Sequence, residues 1–249
     1  VVRVVITTAN VRASLSPAQA RADMRRATAH STIVAGQEYW PRAAGRFAPR
    51  GWRVFHPARP LAACRDLATF YRADTWQRLR GHAIVMDRLG FPTPSRCTSV
   101  LVLRHRATGL VLPVVNVHML PHVDLAGHPR PLPLRVAAYA RGMARVTWLA
   151  TEVRDRYGVA LVAGDWNVSY PADRRVQWSG FPYAHLAAHW DTHWAQLPMT
   201  GPTHAGGRRI DSVWWSESRR VTPVHSRTIR GTWSDHNFVR LVIRVRGRG

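Results

Sequence analysis

The chain has 249 residues, 46% of them hydrophobic, which suits one large α/β domain over residues 1–249 with a sizeable core. No run of about 18 apolar residues occurs, which argues against integral membrane association. The formal charge of +22 rests on 36 basic residues, all arginine, against 14 acidic ones, and favours polyanionic over basic partners.

The first apolar run, residues 1–7, reads as a buried strand. Ser16-Pro17 then supplies an N-cap and a proline at the first helical position, which predicts a helix to about Ala29. Residues 32–35 form the next strand, and 52–55, 67–72 and 100–105 read as strands between Pro- and Gly-containing turns. Residues 110–117 are a strongly apolar strand, and 121–133 read as a loop. The longest predicted helix covers Arg135–Tyr157, where Val136, Tyr139, Met143, Val146, Ala150 and Val153 recur at three- and four-residue steps before Gly158. A strand at 159–163 follows, then an irregular stretch, then strands at 209–215, 221–227 and 238–245. Cys64 and Cys97 permit one disulfide, and sequence leaves a bridge and two buried thiols equally open. No zinc-ligand spacing occurs. The chain starts directly in a strand-like run at Val1 with no signal-peptide pattern, and a removed leader would leave the same start.

Short polar motifs close or follow these runs. They are Thr8-Ala9-Asn10, Gln37-Glu38, Asn116-Val117-His118, Gly164-Asp165-Trp166-Asn167, Ile210-Asp211-Ser212-Val213 and Ser234-Asp235-His236. Four carboxylates, three asparagine carboxamides and two histidines suit metal-assisted attack of water on a phosphate ester. Glu38 is a candidate ligand for a hard cation such as Mg²⁺, which takes oxygen donors. Asp165 and Asn167, two apart on extended chain, present both side chains on one face. An imidazole held beside a carboxylate is fixed in one tautomer and donates to a phosphate oxygen. Alone, each motif is also compatible with a turn or a cap.

The six motifs in this order resemble the endonuclease/exonuclease/phosphatase superfamily, and the resemblance covers nearly the whole chain. It implies a deoxyribonuclease I-like α/β (α+β) fold, a four-layer α/β/β/α sandwich. It implies Glu38 as main metal ligand with Asn10 and Asp235 nearby, and Mg²⁺, replaceable by Mn²⁺, as cofactor. Asp165 then orients the attacking water, Asn167 contacts the phosphate, and Asp211 pairs with His236. His118 is the second imidazole. Its partner is open, with Asp66 nearby in uncertain register. Arg96 resembles a phosphate-binding arginine of the deoxyribonuclease branch, and Arg72, in an aromatic-Arg pair, is a second candidate for substrate binding. Trp40 stands where deoxyribonuclease I places a groove-reading arginine, and either stacks on a base or packs against its loop. The Asn-x-His motif and the sequence Ala9-Asn10-Val11-Arg12-Ala13 depart from abasic-site endonucleases, and Phe238 replaces a usual proline.

The expected function is therefore a Mg²⁺-dependent nuclease, most like a deoxyribonuclease I-type endonuclease. Its expected partner is nucleic acid, DNA in preference to RNA, and its expected state is a monomer. The alternatives are an inositol-phosphate or phospholipid phosphoesterase of the same fold, and a toxin-like or nucleic-acid-binding module on a nuclease scaffold.

Overall fold

The computed structural model describes residues 1–87, 95–198, 201–216 and 219–247. In chain order the strands are β1 (Val2–Asn10), β2 (Ile33–Gln37), β3 (Trp52–Phe55), β4 (Ala68–Arg72), β5 (Trp76–Asp87), β6 (Arg96–His105) and β7 (Val111–His118). There follow β8 (Asp124–Leu125), β9 (His128–Pro129), β10 (Leu161–Asp165), β11 (Trp190–Thr192), β12 (Asp211–Ser216), β13 (Val221–Ile229) and β14 (Phe238–Val245). The helices are α1 (Pro17–Thr28), α2 (Pro133–Tyr157), α3 (Tyr170–Val176), α4 (Pro182–Leu186) and α5 (His193–Gln196).

Two six-stranded sheets carry the architecture. The first runs β13-β14-β1-β2-β4-β3 and the second β11-β12-β10-β7-β6-β5. Only β1–β2 and β7–β10 are parallel among these pairs. A parallel pair needs a crossover; α1 makes the first, and the second runs through the β8–β9 hairpin and α2. β1 and β10 are buried along nearly their whole length, which is why they read as unbroken apolar runs.

Three apolar layers follow from the alternation of side chains. Ile6, Ile33, Val114, Leu161, Ala163 and Leu241 fill the space between the sheets. The opposite faces are covered by helices. Met24 and Ala27 of α1 pack with Val34 and Phe70, and Tyr139, Met143 and Val146 of α2 pack with Val115 and Val162. This is the expected α/β/β/α sandwich. Ser16 closes the capping box of α1 with Gln19, and Gly158 ends α2 in the left-handed conformation at φ 72°.

The sequence reading needs three revisions, and one open question is decided. β5 was not expected; it is a half-exposed edge strand with two register shifts, so its residues show neither alternation nor a continuous apolar run. The 121–133 loop contains the β8–β9 hairpin, and the irregular 166–208 stretch holds three short helices and β11. Cys64 and Cys97 are joined in a disulfide, with Cα atoms 5.1 Å apart. Among the described residues, no helix is long and apolar enough to cross a membrane.

Candidate active site

The parallel pairs set the location. β1 and β2 end side by side at Asn10 and Gln37, and β7 and β10 end side by side at His118 and Asp165. The antiparallel neighbours β4, β6, β12 and β14 begin at this same end of the sandwich, which brings Asp211 opposite Asp165 and His236 just ahead of β14. A polar bolt joins the two sheets beneath the site. Gln37 donates to Asn116 Oδ1 at 2.8 Å, and Asn116 Nδ2 donates to the Gly36 carbonyl at 3.0 Å. Gly164 permits the close packing of β10 on β7, since a Cβ there would lie 2.0 Å from the Val117 carbonyl oxygen.

One carboxylate oxygen is the centre of the cluster. Asp165 Oδ2 accepts from Asn10 Nδ2 at 3.1 Å and from Asn167 Nδ2 at 3.2 Å. It also faces His118 Nε2 at 3.5 Å and His236 Nε2 at 3.8 Å. The other oxygen of Asp165 accepts the Asn167 backbone N–H at 2.9 Å, so the turn-forming and site-facing roles of this residue coexist. Glu38 and Asn167 both sit at positive φ, 63° and 57°, a sparsely populated conformation that clusters at functional sites.

Each histidine is held from behind by its own carboxylate. His236 Nδ1 lies 2.9 Å from Asp211 Oδ2, and His118 Nδ1 lies 2.5 Å from Asp66 Oδ2. Burial disfavours a charge on His236, but Asp211 and Asp165 outweigh it and raise its pKa to about 10. Burial pushes Asp211 up to about 6, so at neutral pH this pair is an imidazolium and a carboxylate. Burial also acts against the Asp66 carboxylate, yet His118, Arg96 and Arg42 together hold its pKa below the ordinary value. Arg96 Nη1 is 3.3 Å from Asp66 and 3.5 Å from His118 Nδ1.

Glu38 stands at the oxygen-rich side. Its Oε1 accepts from Asn10 Nδ2 at 3.0 Å and its Oε2 from the Ala13 N–H at 2.8 Å. Arg42 anchors the loop by donating to the carbonyls of Val11, Arg12 and Glu38. Asn10 Oδ1 is buried and has no hydrogen-bond partner, an acceptor that a cation would satisfy. Asp165, Asp211 and His236 also offer ligand atoms within 4.8 Å of one another. There His236 Nδ1 already faces Asp211 Oδ2. The Asn10 carboxamide, whose Nδ2 bridges Glu38 and Asp165 and whose Oδ1 is left unpaired, offers with the Glu38 carboxylate the oxygen donors that a hard divalent ion takes.

The other expected residues are placed unevenly. Asp235 is at the rim, 3.7 Å from Arg12 and 3.9 Å from His204. Trp40, two residues past Glu38, is 44% exposed with the Arg65 guanidinium 6.0 Å from its ring centroid, so it lies at the surface rather than in the core. Arg72 is not brought to the cluster. β4 runs antiparallel to β2, so Ala68 is at the site end and Arg72 at the opposite end, paired with Asp74. Sequence reasoning did not find His204, whose Nδ1 accepts from Gly206 and whose ring stacks edge-on against His236 at 4.9 Å. Nor did it find Thr203, whose hydroxyl accepts the N–H groups of Ile210 and Asp211. Neither belongs to a recurrent run, and only the fold brings them in.

The sequence pattern of the Endonuclease/Exonuclease/phosphatase family matches residues 7–236, which spans all six motifs. The chain belongs to that family. Solved structures show the same fold. An endonuclease/exonuclease/phosphatase family protein from Bacteroides vulgatus superposes with a TM-score of 0.73 at 14% identity, covering 98% of this chain and 100% of the other. A mannosyl-6-phosphatase from Bacteroides thetaiotaomicron gives 0.74 at 15%, covering 96% and 99%. Danio rerio TDP2, complexed with a single-strand DNA product, gives 0.72 at 15%, covering 98% and 99%. Comparison with curated proteins by sequence returns no match. The family fold is that of phosphoesterases, and a fold of this kind leaves the substrate to be argued from the site.

Proposed function

We propose that this family member is a divalent-metal-dependent phosphodiesterase that cleaves nucleic acid internally, DNA in preference to RNA. The observation that carries the reading is the convergence of two carboxylate-backed imidazoles, Asp66–His118 and Asp211–His236, on Asp165 Oδ2. Between these groups an incoming phosphate meets donors on two sides and a carboxylate that orients the attacking water. His236 and His118 donate from Nε2 to the phosphate oxygens, and the charge that grows there is offset where the site is already desolvated. Asn167 Nδ2 is engaged by the Met119 carbonyl and by Asp165, so its first task is to fix the Asp165 carboxylate. Glu38 and Asn10, with Asp235 at the rim, hold the cation, Mg²⁺ or Mn²⁺, which supplies charge neutralisation at the phosphate and the departing oxygen. Arg96 touches Asp66 and the Nδ1 edge of His118, so its charge supports that pair from behind.

Nucleic acid is favoured over a small phosphate ester by the charge of +22, which suits a polymer of phosphates. The test is incubation with supercoiled plasmid, single-stranded DNA, RNA, a phosphomonoester and anionic phospholipid, each with Mg²⁺ or with EDTA. Nicking of plasmid with Mg²⁺, abolished by EDTA, is the expected result. Turnover confined to the monoester or the lipid would overturn the nuclease reading, and full activity in EDTA would overturn the metal.

A further inference from the structure

The first sheet ends at β3 and the second at β5, and these two edges flank an open side of the sandwich. A hollow of about 610 Å³ lies between them, floored by Trp52, Tyr71 and Trp76 and walled by Arg53, Arg78 and Arg106. Tyr71 and Trp76 are buried, Trp52 is half-buried, and the three arginines are exposed. Among the described residues no carboxylate pairs with any of the three. The nearest acid in sequence, Asp74, is held by Arg72. Neither wall nor floor contributes an acidic side chain.

The hollow has a continuation. Farther along the same two strands, Phe55, Arg59, Gly81 and His82 border a second one of about 690 Å³, again without an acid. Arg78 lies 4.9 Å from the Phe55 ring centroid and so stands between the two. The series is aligned with the site. β5 runs from Trp76 opposite His105 to Asp87 opposite Arg96, and Arg96 touches Asp66 and His118. From Arg78 to Asp87 an extended chain covers roughly 30 Å.

We infer that the β3–β5 flank is a track for the phosphate backbone of a single polynucleotide strand, leading to the active site. This rests on the nucleic-acid reading above. A positive groove that follows a backbone is what single strands require, and of the floor residues Trp52 is the one with ring surface left open to a base. Guanidinium groups serve both needs, since they bind phosphate in a bidentate fork and stack on ring faces. A lipid surface would instead need exposed apolar side chains; the walls of the first hollow are arginines, while Pro57, Ala58, Pro60 and Ala83 make the second more apolar, and the vesicle measurement below separates the two.

The experiment compares two charge-matched triple variants. One carries Arg53→Ala, Arg78→Ala and Arg106→Ala. The other carries Arg3→Ala, Arg25→Ala and Arg244→Ala, exposed arginines that line neither hollow. Binding in EDTA is followed by anisotropy at several salt concentrations. The ligands are a dinucleotide and a single strand of about 20 nucleotides, longer than the roughly 4–16 that such grooves occupy. The groove triple should lower the log–log salt slope for the long strand by about 2, at about 0.7 per lost contact. The dinucleotide should be unaffected, and so should turnover of bis(p-nitrophenyl) phosphate. Equal losses from both triples would overturn the track, because net charge alone would then explain binding. An unchanged slope would also overturn it, as would loss of anionic-vesicle binding with strand binding intact. Should the groove triple fail to fold, Arg53→Glu against Arg3→Glu carries the same comparison, since Arg53 is exposed and its side chain has no hydrogen bond among the described residues. Absence of any phosphodiester turnover by wild type would remove the proposed activity, while the binding comparison would still decide the track.

Discussion

At the residue scale the site depends on how each imidazole is backed. Asp211→Asn leaves His236 without its charged partner, and Asp66→Asn does the same to His118. Each should lower kcat by roughly 10²–10³, close to the effect of removing the matching histidine, because an unoriented donor contributes little to the transition state. The check is steady-state kinetics of the four single variants and the two double variants. Within each pair the double variant should be no worse than the worse single, since the two residues act as a unit. Wild-type kcat in Asp66→Asn would separate Asp66 from the chemistry. These residues were not equally visible in the sequence. Asp211 and His236 stand in motifs that close or open strands, so their meeting could be anticipated. Asp66 lies in a short turn, Ala62–Asp66, with no periodicity to fix its register, and only the structure shows where its carboxylate points. Arg72 misled for the related reason that strand polarity decides which end of β4 faces the site, and one sequence leaves that polarity open.

At the element scale the Cys64–Cys97 bridge ties the turn that carries Asp66 to the start of the strand that carries Arg96. The bond closes a separation of 33 residues, for which chain entropy gives about 2–4 kcal/mol. The double variant Cys64→Ser with Cys97→Ser should lose that much in denaturant unfolding. It should also lose activity in proportion to the freedom gained by Asp66, with Asp211–His236 unaffected. A second element-level effect concerns α3. Asp173 is buried there, accepts the Tyr183 N–H, and burial raises its pKa to about 7. The unfolded chain releases that proton near 3.8. Between these values the folded state binds the extra proton, so stability falls as pH rises from about 4 to about 7. Asp173→Asn removes this penalty and should raise the Tm more at pH 8 than at pH 5. The ceiling is of order 4 kcal/mol at 1.36 kcal/mol per unit of pKa. A Tm difference independent of pH would show that Asp173 is not the group responsible. β5 shows the limit of element reading: a half-exposed edge strand with two register shifts obeys no simple period, although it defines one flank of the molecule.

At the scale of the whole molecule the two sheets contribute different halves of the site. Asn10, Glu38 and His236 come from the first, and His118, Asp165 and Asp211 from the second. The central strands were legible in the sequence as apolar runs, and the family resemblance of the six motifs implied the sandwich they build. How the halves meet was not, because the hydrogen bonds from Asn10 to Asp165 and from Gln37 to Asn116 cross between sheets over 155 and 79 residues of chain. The aliphatic layer of Ile6, Val114, Leu161 and Leu241 therefore acts as a spacer gauge. Its thickness, about 10 Å for packed sheets, fixes the gap across which the site's two halves face one another. Leu161→Ala removes a buried side chain from that gauge and should cost about 2–5 kcal/mol in stability. Measured well below its Tm, the variant should also turn over more slowly than a variant of equal stability altered in the outer layer beneath α2, such as Val146→Ala. Catalytic alignment in this fold would then be a matter of calibre, set by methyl groups that never meet the substrate.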